Sequence, residues 1–273
     1  MKHIEPSTLL DIHPKEWLST MKADTTDVYQ YRNLQHFKHH VKHLTQKKDY
    51  NCDISYKNAL KQLLVDTPTI TEGDYQIIKN TVRQNLLKRG LISESVYESY
   101  KYAVEGQIWD VAKIIAEDPA CFLVPNETYK NYFYELYISV SYPYYVSNKT
   151  VTNNMAKILA TVELLEAEHI YCKISLVMPN TRCNKGKGKP NYLGIIPLFS
   201  HRDTKSIATM SAILNDRLLR KFFFAIFEDL YREDLSDGYG ISTTLPHAII
   251  PVDLDECTLA SSILDKVLVG GQR

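Results

Sequence analysis

Three consecutive stretches decide the fold class: 131-NYFYELYISVSY-142, 149-KTVTNNMAKILATVELLEAEH-169 and 170-IYCKISLVM-178. The first is β-branched and aromatic, which suits a pleated and partly buried surface, so it reads as a strand. The second repeats its apolar residues at helical spacing. The third is an almost unbroken apolar run bounded by turn residues, as a strand covered on both faces would be. Strand, helical crossover and strand in this order make a βαβ unit, the building block of α/β folds.

Downstream, residues 192–199 and 247–252 predict further strands. Residues 207–214, 218–231 and 259–269 predict helices. Upstream, apolar residues recur at helical spacing in 55–65 and 75–89. Thr71-Glu72-Gly73-Asp74 looks like a helix start and Gly90 a helix stop. Residues 27–48 and 93–104 also read as helical. The expected organisation is a helical N-terminal region over 1–105, followed over 106–273 by a Rossmann-like or von Willebrand A-like three-layer α/β domain.

The chain has 273 residues, enough to bury a large core without metal or disulfide staples. Lys and Arg total 32 against 32 Asp and Glu, so no general basic coat exists. Five cysteines, an odd number with no CxxC among them, leave zinc-ribbon and thioredoxin-like readings unsupported and fit reduced thiols. No leader-like N-terminus and no long apolar run occur, so a cytoplasmic protein is expected.

Enzyme motifs fail their tests. His201-Arg202-Asp203 spells a kinase tripeptide but lacks every other kinase element, and reads as a polar loop after a strand. Lys185-Gly186-Lys187-Gly188-Lys189 lacks P-loop spacing, and Gly238-Tyr239-Gly240 has no βα turn around it. His36, His39, His40 and His43 share a helical stripe without a carboxylate or thiol beside them. The first strand of the βαβ unit ends Ser139-Val140-Ser141-Tyr142-Pro143. There Ser replaces the Asp, and Pro the second Ser, of the cation-binding Asp-x-Ser-x-Ser pattern. The expectation is a non-enzymatic protein with no cofactor and no metal.

Charge is segregated instead. Residues 28–48 carry Arg32, Lys38, Lys42, Lys47 and Lys48 without an acid; residues 169–202 carry Lys173, Arg182, Lys185, Lys187, Lys189 and Arg202, again without one. Between them Tyr142, Tyr144 and Tyr145 follow a strand end, where open α/β sheets hold ligands. Cations beside rings are the usual means of holding single-stranded nucleic acid. The candidate nucleic-acid-binding set is therefore Arg32, Lys38, Lys42, Lys47, Lys48, Tyr142, Tyr144, Tyr145, Arg182, Lys185, Lys187 and Lys189. The broad apolar helix 218–231 suits core packing or an oligomer face.

Several segments together resemble a family of tailed-phage proteins with a degenerate von Willebrand A-like domain. They are Val104-Glu-Gly106-Gln-Ile-Trp-Asp110-Val111 with Pro119 after it, Ser139-Val-Ser141, and Leu164-Leu165-Glu166 ahead of strand 170–178. Arg217-Leu-Leu-Arg220-Lys221-Phe222-Phe223 with Glu228, and then Gly238-Tyr-Gly240, complete the series. More loosely, the chain is similar to the single-stranded-DNA-binding transcription regulators of short-tailed phages that carry their own RNA polymerases. That likeness implies single-stranded DNA binding, self-association as a homo-oligomer and a phage RNA polymerase as partner. The alternative is a metal-free von Willebrand A-like adaptor that binds another protein.

Overall fold

The computed structural model describes residues 2–4, 17, 26–44, 55–65, 70–93, 100–105, 108–125, 131–140, 146–181, 191–213, 222–223, 225–226, 229–230, 241–242, 245–252 and 254–270. The central βαβ unit forms as the sequence predicts. Strand β6 (Tyr132–Ser139) leads into helix α5 (Asn148–Ala167), which returns to β7 (Ile170–Thr181) parallel to β6. Ser147 starts α5 by accepting a hydrogen bond from the Thr150 N–H, the usual N-cap arrangement. His169, with φ of 64°, makes the turn that drops the chain into β7.

Strand β8 (Asn191–Phe199) then runs antiparallel to β7, and β10 (Ala248–Ile249) adds to the other side of β6 in parallel. The fourth strand is thus shorter than the expected 247–252: His247 turns at φ of 62° ahead of it, and Pro251, two residues past its end, has no N–H to donate. A short β9 (Ile241–Ser242) pairs with the last two residues of β7.

The N-terminal region departs from the all-helical expectation. Strand β2 (Thr26–Gln30) lies parallel to β8, with β1 (Lys2–Ile4) antiparallel on its outer edge. The segment Thr-Asp-Val-Tyr-Gln buries alternate residues, Thr26 and Val28, a period of two that a helical reading of 27–48 overlooked. Helix α1 begins only at Leu34 and runs to Lys42, capped by Asn33. Helices α2 (Tyr56–Val65) and α3 (Glu72–Lys88) form as expected; Thr71 caps the second, and Gly90 ends it at φ of 65°. The main sheet therefore runs β1-β2-β8-β7-β6-β10, and strands on both sides of residue 105 share it.

Alternation divides the sheet's side chains between two cores. Leu136, Ile138, Cys172, Ile174, Leu176, Ile196 and Leu198 point to one face. There they meet α1, α2, α3, α5, α6 (Ile207–Ile213), α7 (Glu256–Gly270) and the helical residues within 222–230. On the other face Tyr137, Val177, Leu193 and Ile195 pack with Val28, Trp17 and Leu245, and the Trp17 indole donates to the Pro246 carbonyl at 2.9 Å. Polar ties cross the helical layer. Lys79 of α3 meets Glu163 of α5 at 2.5 Å. Glu256 of α7 accepts from Asn85 and Lys157.

Residues 100–125 form a second sheet, β3-β5-β4, from β3 (Tyr100–Ala103), β4 (Ile108–Trp109) and β5 (Phe122–Pro125). The short helix α4 (Val111–Ile115) lies between β4 and β5. The expected helix over 93–104 is thus a strand at its end, where Tyr-Lys-Tyr-Ala alternates and pairs antiparallel with β5.

Candidate nucleic-acid interface

Of the twelve expected contact residues, three lie within the described structure. Arg32 and Lys42 are exposed, beside and at the end of α1. Lys38 is not: it is 3% exposed, on the face of α1 that also buries Phe37 and Val41. Helical spacing puts position 38 next to that apolar stripe, so an acid-free window alone overstates the free cations. Lys47, Lys48, Tyr142, Tyr144, Tyr145, Arg182, Lys185, Lys187 and Lys189 lie outside the described residues.

The strand ends flanking these segments still fix where they attach. Val140, just past β6, donates its N–H to the Val177 carbonyl, and β7 and β8 are joined by the chain between Thr181 and Asn191. The tyrosine segment and the Lys/Gly segment both leave the sheet at this edge. Arg32 attaches elsewhere. Tyr31 donates to the Ile195 carbonyl, four residues along β8 from Asn191, which displaces Arg32 by about 15 Å toward the opposite edge.

The histidine stripe also divides. His40 turns inward, its Nδ1 at 2.8 Å from the buried Tyr31 hydroxyl, and burial pulls its pKa down. His39 and His43 keep their rings 4.6 Å apart. Among the described residues no three metal-ligating side chains converge.

At that opposite edge the structure assembles a group of rings. Phe133 of β6 sits directly across from Tyr171 of β7, ring centroids 5.9 Å apart and nearly parallel. The His201 imidazole stands edge-on to Phe133 at 5.2 Å. Phe133 is 63% exposed, although Leu136 and Ile138 on the same strand are sealed. It occupies the other phase of the alternation, where the small core around Trp17 does not reach it.

Beside these rings opens a cleft of about 730 Å³, whose other walls include Lys79, Glu163 and Glu166. The loop Ser200–Ser206 carries His201 and Arg202 to its mouth and is held from within. The Asp203 carboxylate accepts from the Ser200 N–H at 2.6 Å, and that hydrogen bond holds its pKa below the usual carboxylate range. The Lys205 ammonium, 1% exposed, bridges Glu166 at 2.5 Å and the Ser200 carbonyl at 3.1 Å.

Cations and acids around the cleft are mostly matched: Lys79 with Glu163, Lys205 with Glu166, and on the next rung of the sheet Lys173 with Glu135 at 2.7 Å. Arg202 is exposed and has no ion-pair partner among the described residues. Tyr137 donates to Glu135 from beneath, and burial, reinforced by that bond, raises its hydroxyl pKa. Cys172 lies behind the shelf; burial pushes its thiol up to about 12, so it stays protonated and unreactive.

The sequence contained a signal for this ring group. Phe133 alternates with the core positions of its own strand, and His201-Arg202 follows the third strand. What the reading lacked was the register that brings Phe133 and Tyr171 together.

Residues 15–261 match the family described as Domain of unknown function (DUF7192). No curated protein and no solved structure matches the chain. The matched span takes in Trp17, the described strands other than β1 and the ring shelf, and ends within α7, and the chain belongs to the DUF7192 family.

Proposed function

We propose that this protein binds single-stranded DNA, stacking unpaired bases on the Phe133–Tyr171 shelf and holding the backbone with Arg202. The observation that carries the reading is the exposed Phe133 ring stacked on the half-buried Tyr171 ring near the starts of two paired strands, with an unmatched guanidinium beside them. A flat aromatic face accepts any base, and each stacked base contributes about 1–3 kcal/mol. A duplex would have to unstack to use it. The Lys/Gly segment that joins β7 to β8 in the chain would extend the path of the strand. The place in transcription, with a phage RNA polymerase as partner and no catalysis by this chain, follows from the resemblance to phage regulators.

Fluorescence anisotropy with labelled oligo-dT tests the proposal. Binding is expected at about 50 mM salt, to weaken steeply by about 200 mM, and to exceed binding to duplex of the same length. Phe133→Ala and Arg202→Ala are each expected to weaken it. Absence of wild-type binding at the lower salt removes the reading and leaves the metal-free adaptor, which requires a protein partner and is indifferent to DNA.

A further inference from the structure

The two glutamates that line the cleft beside the rings are engaged to different extents. Glu163 of α5 holds the Lys79 ammonium. Glu166, on the next turn of the same helix, uses one oxygen within the chain. Its Oε1 takes the Lys205 ammonium at 2.5 Å and the Cys172 N–H at 3.3 Å. Its Oε2 has no partner among the described residues, and with the side chain 20% exposed this atom is not sealed inside the protein. The donors around it are taken. Lys205 is 1% exposed, with its ammonium between Glu166 and the Ser200 carbonyl, and Lys79 belongs to Glu163. Phe133, Tyr171 and Glu166 line one cleft, so a base resting against the rings can turn its hydrogen-bonding edge toward a lone acceptor.

Resting on the single-stranded DNA reading, we infer that Glu166 selects the base held here: one with an exocyclic amino group, which among the pyrimidines means cytosine. An ionised carboxylate only accepts hydrogen bonds. The cytosine N4 amino group donates to such an acceptor, the pairing by which acidic side chains read cytosine, and adenine carries its equivalent at N6. Thymine and uracil present O4 in that place. Two acceptors would then face each other with no proton between them, and the carboxylate would give up water without a replacement. Stacking on Phe133 and Tyr171 does not depend on this choice, so thymine still binds, less tightly. Glu166 thus has two tasks on two atoms: Oε1 neutralises the buried Lys205, and Oε2 reads the base.

Oligo-dC, oligo-dU and oligo-dT of one length, compared by anisotropy on the whole protein at about 50 mM salt and slightly alkaline pH, test the inference. Cytosine and uracil share a ring size and lack the methyl group, so they differ only in the hydrogen-bonding groups on one edge. Oligo-dC is expected to bind at least about tenfold tighter than oligo-dU, the effect of one hydrogen bond to a charged acceptor, with oligo-dT close to oligo-dU. Glu166→Gln exchanges the acceptor for an amide that both accepts and donates, so the preference for oligo-dC is expected to disappear while oligo-dT binding persists. If that variant does not fold, the wild-type ratio of oligo-dC to oligo-dU decides alone. Equal wild-type binding of oligo-dC and oligo-dU overturns the inference and leaves single-stranded DNA binding standing. So does a folded Glu166→Gln that weakens all three oligonucleotides and keeps the preference, as a purely structural prop would. Binding of none of the three by the wild type removes the single-stranded DNA reading and this inference with it.

Discussion

In the large sheet Leu136, Ile138, Ile174 and Leu176 are sealed from solvent, each at the position alternation assigns to the helical layer. In the small sheet Tyr102 and Trp109 stay largely exposed at positions of the same chemical character. Both sheets are aromatic and β-branched, and β3–β5 in one and β6–β7 in the other pair in regular register. They differ in what lies over them: a layer of helices in one case, and in the other a five-residue helix whose own apolar side faces outward. Apolar content makes a strand, but only a covering layer makes it core. Phe133 carries the same lesson into the large sheet, exposed where the described core of the second face does not reach it.

That contrast can be broken by substitution. Leu176→Ala, in the centre of the large core, is expected to cost about 3 kcal/mol in urea unfolding through lost burial and a residual cavity. Glu166→Gln is expected to cost a similar amount, about 3 kcal/mol, because the Lys205 ammonium it neutralises is almost wholly buried. A variant that loses nothing there would mean that Lys205 reaches water. Gly194→Ala comes next, at about 1–3 kcal/mol. The Tyr192 ring lies across Gly194, and a Cβ there would sit 2.8 Å from its hydroxyl and 2.9 Å from its ring.

Glu256 sharpens the comparison through pH. Burial works to raise its pKa, but hydrogen bonds from its own N–H, Asn85 and Lys157 outweigh that and hold it below the usual carboxylate range. A carboxyl depressed in the folded state stabilises fully above its unfolded pKa, and the contribution is lost as pH falls through the folded value. Thermal stability is therefore expected to fall on acidification below about pH 4. Glu256→Gln should flatten that part of the profile. A wild-type profile flat to pH 2 would remove Glu256 as a tie between helices. At the small end, Trp109→Ala and Phe133→Ala are each expected to change unfolding free energy by no more than about 0.5 kcal/mol. A loss of several kcal/mol at either position would make it core after all.

Much of the fold is legible where one periodicity runs unopposed. Residues 131–178 carry strand, helix and strand with no competing signal, and Thr71 and Gly90 mark the ends of α3 by conformational chemistry that needs no tertiary context. The reading fails where elements are short. Thr26–Gln30 and Tyr100–Ala103 are each too brief to announce a period of two beside helical neighbours, and their strands form because a partner strand supplies the hydrogen bonds. The candidate site was legible only as types. Its acid-free windows promised cations, but Lys38 goes inside and Lys173 finds Glu135, both outcomes of packing.

By itself the sequence determined an α/β chain built round one βαβ crossover, because alternation and helical spacing are local properties of covalent order. Only the tertiary structure decided that the N-terminal strands complete the same sheet, that Phe133, Tyr171 and His201 share one surface, and that the small sheet turns its apolar side chains outward. Those outcomes depend on which residues distant in the chain come to lie within a few ångströms, and so on the whole set of competing contacts rather than on any one segment.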